Sequence, residues 1–254
     1  MKSAKQSVVA IVPAAGIGAR MGASIPKQYL MLGEQTILAH TLDSLISHPD
    51  ISKVIVALHP EDDFFAKLTQ ANHEKVLTVI GGNERADSVL AALNSLDDET
   101  NDVTTDITSE HSTWSLVHDA ARPCLTQTDI DKLLESRAVH SQGAILAMPV
   151  RDTMKRSIVA NAADKAVSKV EIAETVCRDN LWHALTPQLF PSQQLKQNLS
   201  AALEQGVNIT DEASAMEWAG VNPGLVSGRA DNIKVTHPDD LQLAKLFLAN
   251  IESL

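Results

Sequence analysis

A doubly wound, mainly parallel α/β sheet is the fold this sequence predicts, and three observations carry it. Short apolar runs at 8–12, 53–58, 76–80, 114–118 and 144–150 read as buried strands. Stretches with apolar residues at helical spacing alternate with them, which is the pattern of a parallel sheet covered on both faces. A hydrophobic fraction of 44% with only 3% aromatics makes Val, Ile, Leu and Ala the core material. The 254 residues suit one large domain, 1–254, with a protruding arm at about 151–179.

The elements follow in order. The run at 8–12 is the first strand, ended by Pro13. Residues 36–46 carry Ile37, Leu38, Leu42, Leu45 and Ile46 on one helical face. The strand at 53–58 is closed by His59-Pro60, and 61–69 reads as a helix. The strand at 76–80 turns through Gly81-Gly82 into a helix at 84–96, with Val89, Leu90 and Leu93 aligned. The strand at 114–118 precedes a helix at 128–139 and the strand at 144–150. The acidic, polar segment 97–113 has no core pattern and reads as an exposed loop. Residues 151–179 restart no βαβ unit; partial alternation around Val167 and Val170 suggests an extended arm. Helices at 191–204 and 211–219 follow, the second capped by Thr210 or Asp211. Short strands at 225–226 and 233–235 precede a closing helix at 238–248, with Pro238 and two aspartates at its start.

Ligands of such sheets bind beyond the carboxyl ends of the strands. There the first strand runs into Ala14, Ala15, Gly16 and Gly18, followed by Arg20 and Lys27. Small residues let backbone N–H groups approach an anion, so the stretch is a plausible phosphate cradle. A plain strand–loop–helix joint is as good a reading of this spacing alone. A dinucleotide loop fits less well, because Met21 stands at the third glycine position; a P-loop would need glycine before Lys27, where Pro26 stands. Lys2 and Lys5 before the apolar run suggest a secretory signal, but Pro13, Gly16 and Gly18 interrupt it.

A net charge of −11, from 21 basic and 32 acidic residues, argues against a nucleic-acid surface. It leaves room for a local cationic pocket. The cysteines Cys124 and Cys177 form no metal or disulfide pattern, so a reducing cytoplasm is expected. No apolar stretch is long enough to suggest a membrane span. Three further constellations hold polar groups: GGNERADS at 81–88, HDAARP at 118–123 and GRADNIK at 228–234. Together they supply Arg122, Arg178 and Lys234 as further cations, and Asp119 and Asp231 as candidate metal carboxylates. Such a set suits a nucleotide with magnesium.

In this order the motifs VPAAGIGARMGASIPKQYL, GGNERADSVLAAL, VHDAARPC, PVRDTMKR, LWHALTPQ, ITDEASA and GRADNIKVT resemble those of the 2-C-methyl-D-erythritol 4-phosphate cytidylyltransferase family. The resemblance covers nearly the whole chain. It implies a nucleotidyltransferase sheet and a homodimer joined through the β-arm. It implies CTP and methylerythritol phosphate as substrates, with Mg2+ or another divalent cation. By resemblance, Ala14, Ala15, Gly16 and Gly18 line the CTP loop. Arg20 and Lys27 contact its phosphates and stabilise the transition state. Gly82, Asn83 and Ser88 surround the cytosine, and Asp119 and Ala120 lie near ribose and metal. Arg122, Thr186 and Thr210 sit near the substrate. Thr153 of the partner subunit and Arg178 hold the methylerythritol phosphate, and Lys234 returns to the α-phosphate. Asn83 stands where the family pattern leads us to expect aspartate. A cytidylyltransferase for another polyol phosphate, such as ribitol 5-phosphate, or a nucleotide-sensing module are the rival readings.

Overall fold

The structure, a computed structural model, describes residues 7–16, 25–98, 113–158 and 170–251. Strand β1 (Val8–Pro13) is an interior strand of the main sheet. A small hairpin of β2 (Met31–Leu32) and β3 (Gln35–Thr36) leads into α1 (Ile37–Ile46), whose N-cap Thr36 accepts from the Ala39 N–H. Then come β4 (Ile51–Leu58), β5 (Val76–Ile80), α2 (Arg85–Asp98) and β6 (Trp114–Val117). Helix α3 (Gln127–Glu135) starts on a Thr126–Asp129 capping box and precedes β7 (Ala144–Pro149). Strands β8 (Met154–Ser157) and β9 (Ile172–Val176) form the arm. The chain closes with β10 (Trp182–Pro191), α4 (Ser192–Glu204), α5 (Glu212–Trp218), β11 (Gly224–Ser227) and α6 (Pro238–Ile251).

The main sheet has the order β11-β7-β10-β6-β1-β4-β5. Its pairings are parallel except the two made by β10, which runs against both β6 and β7. Successive residues of a strand point to opposite faces. Val8, Ala10 and Val12 meet Leu38, Leu42 and Leu133 on one side, while Val9 and Ile11 meet Val89, Leu93, Leu195 and Met216 on the other. Both faces are covered, so β1 has no polar position and reads as an unbroken apolar run. A third cluster, around Ile37, Cys124, Val235 and Ala244, seats α6. Burial pushes the Cys124 thiol up to about 12, so it packs there as a neutral group.

Four expectations are corrected. Residues 61–69 form no α-helix but two short 3-10 turns, Phe65–Lys67 and Thr69–Asn72, broken by an extended Leu68. The Asp62 carboxylate accepts from the N–H groups of Phe64 and Phe65 and from the Tyr29 hydroxyl, and Phe64 stacks on Tyr29. These contacts pin a segment too short to gain much from helix propagation. Residues 233–235 form no strand, although the Val235 N–H donates to the Ala121 carbonyl. Strand β10 was not expected, because Pro187 lies inside it and proline argues against an interior strand. The register shifts between Ala184 and Gln188, and this irregularity takes up the proline and its cis bond to Thr186. The helix expected at 128–139 ends at Glu135 and continues as a 3-10 turn, Ser136–Ala138.

The arm is a two-stranded antiparallel hairpin whose strands are almost wholly exposed. Its neck is zipped. Pro149 pairs with Trp182, and the Val150 N–H donates to the Leu181 carbonyl at 2.9 Å. The acidic segment expected as a loop lies almost entirely outside the described residues.

Candidate active site

Two loops meet beyond the carboxyl ends of β1 and β5. The first, Ala14–Gly16, is tied to the sheet by the Ala14 N–H, which donates to the Ala57 carbonyl at 2.8 Å. The buried Gln28 amide donates to the carbonyls of Ala14 and Gly16, at 2.8 and 3.1 Å. The second loop carries Gly81 and Gly82. A Cβ on Gly81 would stand 2.7 Å from the Ala15 Cβ and 2.8 Å from the Ser88 hydroxyl, so only glycine lets the loops close. Ser88 Oγ accepts from the Gly82 N–H and donates to the Glu84 carbonyl. Its hydroxyl is therefore used to shape the loop. The cavity between the loops holds about 180 Å³. Ala14, Ala15, Gly16, Lys27, Gly82, Asn83, Ser88, Asp119, Ala120 and Lys234 line it. Gly18 and Arg20 lie outside the described residues.

The floor of this cavity is a charge cluster around Asp119, which follows β6. Its carboxylate receives Arg85 Nε at 3.0 Å, Lys234 Nζ at 3.0 Å and Arg122 Nε at 3.3 Å. Burial alone would raise the Asp119 pKa, but Arg85, Lys234 and Arg122 outweigh it and hold the group well below the carboxylate range. Arg85 in turn sets both Nη groups on both oxygens of Glu212, at 2.6 and 2.9 Å. Burial opposes its charge, yet Glu212 and Asp119 hold its pKa above the ordinary value. For Arg122, burial dominates and lowers the pKa. Its Nη1 donates to the Asn232 carbonyl at 2.7 Å, which fixes the segment bearing Lys234.

A second cavity, about 190 Å³, adjoins the first and shares Arg85, Asp119 and Lys234 with it. Arg122, Thr186, Gln188 and Thr210 complete much of its wall. Thr186 Oγ accepts from the Asp119 N–H at 3.1 Å and lies 2.9 Å from His118 Nδ1. His118 Nε2 faces the Arg122 carbonyl, which can only accept, so Nε2 carries the proton and Nδ1 accepts from the Thr186 hydroxyl. Burial lowers the His118 pKa to about 4, consistent with that neutral tautomer. The Asn232 amide donates to the Thr186 carbonyl at 2.8 Å, and Gln188 ties β10 to Asp211 and Ala213 of α5.

Three expected residues are not brought to these cavities. Thr153 is exposed beside the arm, and Arg178 at its base donates to the Arg151 carbonyl. Neither lines a cavity within one chain. Asp231 is held on both oxygens by Arg229 and lines neither cavity. Conversely, sequence reasoning passed over Gln28, Arg85, Glu212 and Asn232. Arg85 was the most accessible of these, being a cation at a glycine-turn helix start, where a cation is disfavoured.

A doubly wound sheet with a small-residue loop and a cationic cluster at its strand ends defines a nucleotidyltransferase-type α/β protein. The sequence matches the family model for IspD, 2-C-methyl-D-erythritol 4-phosphate cytidylyltransferase, over residues 8–250. The chain belongs to that family. A protein of that name from Shewanella oneidensis is 66% identical over 242 residues, 95% of this chain and 88% of that one. One from Shewanella piezotolerans is 62% identical over 251 residues, 99% of each. A crystal structure of 4-diphosphocytidyl-2C-methyl-D-erythritol synthase superposes with a TM-score of 0.77 at 35% identity, covering 96% of this chain and 100% of that one. The Francisella tularensis cytidylyltransferase gives 0.75 at 36%, covering 95% and 100%.

Proposed function

We propose that the protein transfers the CMP group of CTP to 2-C-methyl-D-erythritol 4-phosphate, giving 4-diphosphocytidyl-2-C-methyl-D-erythritol and pyrophosphate. One observation carries this beyond the family name: two adjoining cavities share Arg85, Asp119 and Lys234. CTP takes the first cavity, with its base towards Gly82 and Asn83. The acceptor takes the second, and its phosphate meets the α-phosphate at Lys234.

The acceptor's phosphate oxygen is already anionic at neutral pH, so no general base is needed. It attacks the α-phosphorus in line, and the bond to the departing pyrophosphate breaks as the new P–O bond forms. The obstacle is one anion approaching another. Lys27, Arg20 and Lys234 offset that repulsion and stabilise the transition-state charge.

Magnesium would be held by Asp119 together with the triphosphate. A carboxylate has about four acceptor sites, and three cations occupy Asp119, which leaves room for one metal bond. No group of three metal-binding side chains is found among the described residues, as suits a metal that arrives on its nucleotide. Bound there, it would supply neutralisation of phosphate charge.

The arm serves a homodimer in this reading. Its exposed Met154, Ile158, Val170 and Ile172 offer apolar side chains to a second copy, which would bring Thr153 to the acceptor. Among the described residues no helix is long and apolar enough to cross a membrane. We place the enzyme in the cytoplasm, where CTP is at hand.

Pyrophosphate release from CTP and magnesium, assayed in parallel with methylerythritol 4-phosphate and ribitol 5-phosphate, tests the reading. Release with the first acceptor alone supports it; release with ribitol phosphate alone moves the acceptor assignment. Silence with both, in folded protein that binds CTP, removes the transfer reaction.

A further inference from the structure

Arg85 stands where helix electrostatics disfavour it. It opens α2, and the positive end of the helix dipole at an N-terminus disfavours a cation. Its guanidinium crosses instead to Glu212, in the first turn of α5, where an anion is favoured. The two Nη groups are taken by Glu212, and Nε is left for Asp119. Glu212 is 1% exposed, so its charge is withdrawn almost wholly from water. A desolvated carboxylate is retained only against a partner this well aligned. Arg85 and Asp119 line both cavities, whereas Glu212 lines neither. Glu212 therefore sets the direction of the Arg85 fork without standing in the substrate space.

We propose that Glu212 is a positioning residue for the transfer: it holds Arg85 across the junction of the two cavities and keeps that guanidinium from closing on the phosphates. The inference rests on the transfer reading above. Arg85, Arg122 and Lys234 face Asp119 and Glu212, so the cluster carries one net positive charge. Neutralising Glu212 leaves two and releases the fork. A released guanidinium pairs with the nearest bidentate anion, here a phosphate of CTP or the pyrophosphate product. Ground states then bind more tightly while the transition state gains nothing, so turnover slows.

The test compares the native protein with Glu212→Gln, Glu212→Asp and Arg85→Lys. It uses steady-state turnover and calorimetric titration of inorganic pyrophosphate in magnesium buffer. Glu212→Gln is expected to lower kcat at least about tenfold and tighten pyrophosphate at least about threefold. Glu212→Asp, which keeps the charge, should return pyrophosphate affinity to within about twofold of native. A loss of correctly folded molecules alone would lower kcat without tightening pyrophosphate. Unchanged or weaker pyrophosphate binding in folded Glu212→Gln overturns the proposal. Should that variant fail to fold, Arg85→Lys decides, because it keeps the charge but has no fork. Its turnover should fall at least about tenfold with pyrophosphate affinity within about twofold of native; near-native turnover overturns the proposal. A native protein that binds pyrophosphate but transfers nothing would overturn the transfer reading instead, and the pyrophosphate comparison would still report on Glu212.

Discussion

Gln28 offers the sharpest test of how the nucleotide loop is held. It sits in the 3-10 turn Lys27–Tyr29, is 4% exposed, and its amide donates to two carbonyls of the Ala14–Gly16 loop. Gln28→Leu keeps the bulk and removes both bonds. At about 1 kcal/mol net per bond, the loop loses about 2 kcal/mol of the energy that holds it in shape. That loss must be made up whenever CTP binds, which corresponds to about a 30-fold fall in kcat/KM for CTP. The KM for methylerythritol phosphate should hold, because Gln28 does not line the second cavity. Steady-state kinetics with each substrate varied in turn, alongside a thermal melt, make the measurement. A kcat/KM for CTP within threefold of native, in protein that melts normally, would refute the idea that Gln28 shapes the loop.

Lys27→Ala should lower kcat about a hundred- to thousand-fold with an unchanged circular-dichroism spectrum, and near-normal turnover would remove Lys27 from the transition state. Thr186→Val strands the buried Asp119 N–H and the His118 Nδ1 lone pair, so stability to urea should fall by about 1–3 kcal/mol and turnover should fall with it. His118 stays neutral in the fold down to about pH 4, whereas the unfolded chain takes up its proton below the ordinary value of 6.5. The unfolded state then binds more protons across that window, so this group's contribution is lost as pH falls, about 3 kcal/mol in all. Urea midpoints from pH 7 to 4.5 should drop more steeply in the native protein than in His118→Gln; equal slopes would contradict the assignment. Gly81→Ala must displace either Ala15 or Ser88, and CTP binding measured by calorimetry should weaken by at least about tenfold.

Strand β1 was legible because burial on both faces leaves it an unbroken apolar run, and β4 reads the same way from Val54 to Leu58. Strand β10 was hidden by Pro187, whose disruption is absorbed by an irregular register that only the neighbouring strands reveal. The false helix at 61–69 had acceptable local propensity but was overruled by the local bonds from the Phe64 and Phe65 N–H groups to Asp62 and by two tertiary contacts, the Tyr29 hydroxyl on Asp62 and the Phe64–Tyr29 stack. At the site, residues adjacent in sequence to a glycine turn or a strand end could be found, as Gly82 and Asp119 were. Glu212 could not, since its partner Arg85 is 127 positions away and nothing in the local sequence marks the pair. Gln28 was missed for a related reason: its role is to satisfy backbone carbonyls, which carry no sequence signature.

The zipped neck of the arm has a consequence for how such a protein can change. Because the chain leaves β7 and re-enters β10 through paired residues, the sheet experiences whatever lies between as a single closed loop. Each doubling of such a loop adds only about 0.6 kcal/mol of closure entropy. The outgrowth can therefore lengthen, shorten or be exchanged for a foreign hairpin while the catalytic sheet keeps its register. The sheet with its cavities and the arm meet at one port, so the arm can drift in sequence without a change in the register of the sheet.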